Sequence, residues 1–219
     1  MMADTKRGRF ITLEGGEGVG KSTLQSALAE RLVAAGLDVV TTREPGGTPL
    51  AELVRDLALH PPPGNYWSSM AEALLMNAAR SDHLDRVIRP ALESGKWVIC
   101  DRFSDSTRVY QSVKGGVPLD VLKSFEASVI GETQPDLTFV LDAPPSTTDA
   151  RRENRSQVKD SFESRSSAFH TEVRAAFIDL AKSEPKRCRL IDASEEASVV
   201  ADAVWSEIQA FLAQQMSAR

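Results

Sequence analysis

No stretch of this chain is apolar for long enough to cross a bilayer, which argues against a membrane-spanning protein. Segment 1–9 is polar and has no hydrophobic block, so it reads as a frayed tail rather than a secretory signal. Only two cysteines are present, Cys100 and Cys188, far apart and without metal-ligand spacing. Cys100 sits inside an apolar run, which predicts a buried free thiol in a reducing cytosol. Excess positive charge is missing too: a net charge of −5 disfavours a broad nucleic-acid-binding surface. There is no internal repeat and no low-complexity tract.

What is present is ordinary for a globular protein. An apolar share of 42% and a charged share of 26% over 219 residues fit one large α/β domain spanning 1–219, and nothing in them forces a second. The feature that organises the rest is Gly15-Gly16-Glu17-Gly18-Val19-Gly20-Lys21-Ser22-Thr23, which fits the phosphate-loop pattern G-x-x-x-x-G-K-[ST] from Gly15 to Ser22. Its glycines let the backbone curl so that successive N–H groups point inward at phosphate oxygens. Lys21 supplies a mobile cation for the outer phosphates, and Ser22 a hydroxyl for Mg²⁺. The flanks match the motif. Residues 10–13 are a short apolar, β-branched run, and Leu24, Ala27, Leu28, Arg31, Leu32 and Ala35 follow at helical spacing. Strand, glycine loop, helix puts bound phosphates at a helix N-terminus.

Further strands are expected at 38–42, 97–100, 137–142 and 189–193, with helices over 49–59, 67–93 and 119–130, from near 146, around 169–180, and over 197–212. Pro90 predicts a kink or a split in the second of these helices. Arg80, Asp82, His83 and Arg86 interrupt its apolar stripe, and most of them read as surface residues. Strands alternating with helices predict a five-stranded parallel sheet covered by helices on both faces. Ligands of such a sheet collect at the carboxyl ends of its strands. The phosphate loop, Arg43-Glu44, Asp101-Arg102 and the polar stretch 106–111 all follow strands, or lie near strand ends, and share that edge. Asp101, ending the run 97–100, is positioned to hold Mg²⁺ directly or through water.

A phosphate loop says nucleoside triphosphate, not what is done with it. The guanine-reading N-K-x-D and the switch D-x-x-G are absent, which speaks against a GTPase, and larger assembly ATPases are normally longer. Transfer between two phosphate groups brings two polyanions together, so the acceptor needs cations of its own. Arg43, Arg55, Arg80 and Arg102 lie in segments able to surround one. Arg151, Arg152 and Arg155 form a further cluster, which on charge alone reads as a solvated helix face. A small kinase of phosphorylated metabolites fits best.

Several motifs in order then carry a resemblance across nearly the whole chain. They are Leu13-Glu14-Gly15 entering the phosphate loop, Thr42-Arg43-Glu44-Pro45-Gly46-Gly47-Thr48, Arg80, Asp101-Arg102 with Ser106-Thr107 and Tyr110-Gln111, Pro135-Asp136-Leu137-Thr138, and Leu141-Asp142. Together they resemble the bacterial thymidylate kinases, P-loop nucleoside monophosphate kinases with a mobile lid, here about 151–165. The resemblance implies dTMP and ATP as substrates, dTDP and ADP as products, Mg²⁺ as cofactor, a homodimer and a cytoplasmic enzyme. It implies that Gly15 to Thr23 bind ATP, that Ser22 and Asp101 serve the metal, and that Glu17 touches the dTMP sugar. It further implies that Arg102 grips the acceptor phosphate, while Glu44, Arg55, Met76, Arg80, Ser106, Thr107, Tyr110 and Gln111 complete the acceptor site.

Family members without an arginine in the variable positions of the loop take a cation from the lid. Arg151, Arg152 and Arg155 are the candidates here, with Arg151 and Arg155 favoured as catalytic. Two positions depart from the usual pattern. Met76 stands where a thymine-stacking Phe is common, and Asp160-Ser161-Phe162-Glu163 has Ser161 where the lid often has arginine, so Arg155, Lys159 or Arg165 must compensate. The alternatives are a kinase of a related nucleotide or nucleoside, or an inactive nucleotide-binding regulator.

Overall fold

Strand β1 (Phe10–Glu14) is buried along its whole length and lies at the centre of the sheet. The computed structural model describes residues 7–153 and 160–217. Strands β2 (Val39–Arg43), β3 (Trp97–Asp101), β4 (Leu137–Asp142) and β5 (Cys188–Asp192) complete a parallel sheet in the order β2-β3-β1-β4-β5. The strand order therefore reverses at β1, and the loop that leaves its carboxyl end opens into the crevice where such sheets bind ligands.

Strand alternation divides the core. Ile11 and Leu13 of β1, Ile99 of β3 and Phe139 and Leu141 of β4 face α1 (Lys21–Ala34) and α9 (Ala197–Ser217), packing on Leu24, Leu28, Leu32, Val204 and Ile208. The opposite face has two clusters. Phe10, Val98 and Cys100 pack on Leu84, Ile88, Leu92 and Phe103. Val140 packs with Tyr110, Phe169, Val173 and Phe177. The helices of this face include α3 (Ser69–His83), α4 (Arg89–Glu93), α5 (Ser104–Ser112), α6 (Leu119–Ile130) and α8 (Ser167–Ser183). Helix α2 (Pro49–Leu59) lies on α3, and α7 (Pro145–Glu153) follows β4.

Two elements differ from expectation. The segment 84–88 before Pro90 is a single π-helical turn between α3 and α4, a change of helical type that Pro90 alone did not predict. Proline has no N–H for the residue four back, and the wider turn accommodates that loss. The polar stretch after Arg102 is a helix, α5, that sequence periodicity did not mark. Its buried side chains include Ser104, Asp105, Thr107 and Gln111, so no apolar stripe announces it. Both cysteines are buried free thiols.

Candidate active site

The phosphate loop is built as its sequence requires. Gly15 has φ +130°, and a Cβ there would stand 2.4 Å from the Leu141 carbonyl of the neighbouring strand end, so only glycine fits. Lys21, at the start of α1, curls back so that Nζ donates to the carbonyls of Gly16 (2.9 Å) and Gly15 (3.3 Å). Burial first, and the nearby Arg102 charge second, lower the pKa of its ammonium, while Glu17, Asp101 and Glu14 oppose the shift.

Beside the loop, Ser22 Oγ donates to Asp101 Oδ2 at 3.1 Å. Asp101 Oδ1 is buried without a hydrogen-bond partner. A buried, acceptor-only oxygen next to a serine hydroxyl at the loop's helix end suits a hard divalent cation held chiefly by phosphate oxygens. Among the described residues no cluster of three or more acidic, His or Cys side chains forms a complete metal cage, which accords with that partial ligand set.

Arg102 links the loop to a second site. Its φ of 67° is in the left-handed region, rare for a residue with a Cβ, and its N–H donates to the Leu13 carbonyl of β1. The guanidinium turns back over the sheet edge. Nη1 donates to the Gly15 carbonyl (2.9 Å) and Ser106 Oγ (3.0 Å), and Nη2 to Glu17 Oε1 (2.6 Å) and the Tyr110 hydroxyl (3.2 Å). Burial pushes the Glu17 carboxyl up, but Arg102 and Lys21 outweigh it and hold Glu17 at about 2. The Tyr110 phenol, pushed well up by burial, stays protonated and also donates to Glu17 Oε1 at 3.1 Å.

This arrangement opens into a cavity of about 100 Å³. All nine residues that the sequence assigns to the acceptor site line it: Glu44, Arg55, Met76, Arg80, Arg102, Ser106, Thr107, Tyr110 and Gln111. Arg102 stands at its phosphate-loop end. Arg80 stands across from it, donating through Nη2 to Thr107 Oγ1 at 2.9 Å and lying 5.2 Å over the Phe103 ring. Arg43, expected among these cations, instead pairs with Glu52 on α2 and does not line the cavity.

Several contributors were missed in the sequence. Phe103, Asp160 and Phe162 also line the cavity, and Phe162 meets Tyr110 edge-on at 5.7 Å. Glu14, quoted only as part of a motif, is buried behind the site, accepting from the Phe103 N–H (2.8 Å) and Ser106 Oγ (2.6 Å). Burial, with Asp105 adding to it, raises its carboxyl to about 8. His83, expected with its neighbours at the surface, is fully buried, because both ring nitrogens have partners inside the fold. None of these carries a periodicity signal, since each is a lone polar or aromatic residue whose meaning lies in its tertiary neighbours.

The lid candidates divide. Arg151 Nη1 donates to the Ala193 carbonyl (2.9 Å) and Nη2 to the Glu195 carbonyl (3.3 Å), in a second cavity shared with Gly18, Val19, Gly20 and Thr23. That position is at the far end of the phosphate loop from Arg102. Arg155 and Lys159 lie outside the described residues, as does the Arg152 side chain. Arg165 is ion-paired with Glu72 and lies over the rings of Phe162 (4.3 Å) and Phe169 (4.7 Å), in the wall beside the acceptor cavity. Ser161 donates to the Ala58 carbonyl at 3.1 Å and so ties the start of segment 160–217 to α2.

Comparison with known proteins fits this geometry. The family model for thymidylate kinase matches residues 13–204. A thymidylate kinase of Nitrobacter winogradskyi is 50% identical over 208 residues, covering 94% of this chain and 90% of that protein. One of Caulobacter vibrioides is 48% identical over 198 residues, covering 90% and 94%. The crystal structure of thymidylate kinase from Ehrlichia chaffeensis superposes with a TM-score of 0.74 at 34% identity, covering 92% of this chain and 99% of that one.

Proposed function

The chain belongs to the thymidylate kinase family, and from that premise we propose how its residues divide the work of moving a phosphoryl group from ATP to dTMP. An acceptor phosphate oxygen of dTMP attacks the γ-phosphorus, the bond to the β–γ bridging oxygen breaks, and dTDP and ADP leave. The acceptor oxygen is already anionic, so the chemistry needs positioning and charge stabilisation more than a general base. The observation that carries this assignment is Arg102, bonded at once to the Gly15 carbonyl and to the side chains lining the adjoining cavity.

In this reading the loop amides of Gly15 to Thr23 and Lys21 hold the ATP phosphates. Arg102 exchanges its Glu17 contact for the acceptor phosphate, with Arg55 lining the same cavity. Glu17, ionised across the physiological range, then accepts from the deoxyribose hydroxyl. Arg80, Thr107 and Gln111 face the base, with Met76 packing on it in place of an aromatic ring. Tyr110 fills the space beside the 2′ carbon and disfavours ribonucleotides. Ser22 and Asp101 hold Mg²⁺, whose charge neutralises phosphate oxygens when it is bound. Arg155 from the lid supplies the remaining cation. Arg151, by its place near Val19 and Ala193, serves the nucleoside end of ATP.

We also propose a homodimer. Leu50, Leu53 and Leu57 line one exposed face of α2, and Met70 and Leu74 are exposed on α3, which packs against it. An apolar surface of this kind is what an isologous interface covers. Among the described residues no helix is long and apolar enough to cross a membrane. We place the enzyme in the cytoplasm, with its nucleotide substrates.

The test is an ADP-release assay over dTMP, dUMP, dGMP, AMP and thymidine. dTMP is expected to give the highest kcat/KM, and an equal or higher value for any of the others would overturn the base assignment.

A further inference from the structure

His83 does not line the acceptor cavity, yet it is bonded to Glu44, which does. Its Nδ1 is 3.0 Å from Glu44 Oε1, and its Nε2 is 2.7 Å from Thr42 Oγ1. A carboxylate only accepts, so Nδ1 carries a proton and donates to Glu44, while Nε2 shares a hydrogen bond with the Thr42 hydroxyl. The second oxygen of Glu44 accepts from Arg80 Nε at 2.8 Å. Arg80 then gives its remaining nitrogens to Asn77 Oδ1 (3.2 Å) and Thr107 Oγ1 (2.9 Å). One chain of hydrogen bonds thus runs from Thr42 on β2, through His83 and Arg80 on α3, to Thr107 on α5.

The ring is also locked by backbone. Gly47 has φ +84°, and a Cβ there would lie 2.4 Å from His83 Nε2 and 2.7 Å from Thr42 Oγ1. The turn after Pro45 therefore closes directly onto the imidazole. Filling space does not explain the residue type, since an apolar side chain could fill the same volume. A buried carboxylate oxygen that needs a second donor does explain it.

We propose that His83 is a positioning residue for acceptor recognition, which by holding the Glu44 carboxylate against Arg80 fixes the guanidinium facing the cavity and so sets affinity for dTMP, not for ATP. The inference rests on the cavity being the dTMP site. Without His83, Glu44 Oε1 is left without its donor, the carboxylate is free to rotate towards water, and Arg80 loses its anchor.

Steady-state kinetics of His83→Ala, His83→Asn and Thr42→Val test this, with melting temperature measured alongside. His83→Ala is expected to raise KM for dTMP by about tenfold or more, the scale for a buried acceptor left unpaired, with kcat and KM for ATP within about twofold. Asparagine places an N–H near the position of Nδ1 and should recover most of the loss. Thr42→Val removes only the far end of the chain and should give a smaller rise, which keeps the test alive if His83→Ala does not fold. An unchanged KM for dTMP in the His83 variants overturns the proposal. So does a parallel rise in both KM values, or an asparagine variant no better than alanine. A wild-type enzyme that fails to phosphorylate dTMP refutes the assignment of the cavity itself, so the two failures are distinguishable.

Discussion

Glu14→Gln isolates the least expected ionisable group in the fold. Glu14 ends the central strand, is wholly buried, and accepts from the Phe103 N–H and the Ser106 hydroxyl. Burial and the neighbouring Asp105 raise its carboxyl from 4.5 to about 8, against the pull of Ser106, Arg102 and the Phe103 N–H. Between those two values the unfolded chain has released the proton and the folded chain retains it. The contribution of Glu14 to folding stability therefore falls as pH climbs from 4.5 to about 8 and levels off above. At full size this loss is on the order of 5 kcal/mol. Glutamine copies the protonated acid, with its carbonyl towards Phe103 and its amide towards Ser106, and has no proton to lose. Thermal melts of both proteins from pH 5 to pH 9 provide the measurement, and taking the difference between them removes the groups that titrate independently of Glu14. The variant should gain on the wild type as pH rises, by on the order of 10 °C over the range for a domain of this size. Curves that stay parallel would refute the reasoning.

Two further substitutions separate chemistry from assembly. Lys21→Ala should reduce turnover by at least about a hundredfold, because it removes the loop's cation from the transferring phosphates, while the circular dichroism spectrum stays native. Leu53→Glu puts a charge in the exposed leucine face of α2 and should shift sedimentation from dimer to monomer; an unchanged dimer would move the interface elsewhere.

The sheet was legible because its three central strands are buried on both faces and read as apolar runs, as residues 97–100 and 137–142 do. The phosphate loop was legible because a tight anion cradle admits few residue types. The nine residues proposed for the acceptor site were legible only as members of a family pattern, and all of them line one cavity. What escaped detection has a common cause. Helix α5 turns polar side chains inward, so its periodicity is masked. His83 looks like a surface residue and Glu14 carries no signal of its own, because burial of a charged or polar group depends on partners distant in sequence, here Thr42 and Glu44 for one and Phe103 and Ser106 for the other. The left-handed backbone at Arg102, which aims the guanidinium at the phosphate loop, has no sequence signature either, since arginine does not favour that region.

We propose that the two phosphates are served by separate cations, Lys21 in the loop for ATP and Arg102 at its border for dTMP. Kinetics of Arg102→Ala with each substrate varied in turn test it most directly. The arrangement predicts that kcat/KM for dTMP falls by about a thousandfold, as for loss of a buried charged donor to a reacting phosphate, with KM for ATP changed by less than about threefold. Normal dTMP turnover, or an equal loss of apparent affinity for both substrates, would contradict it.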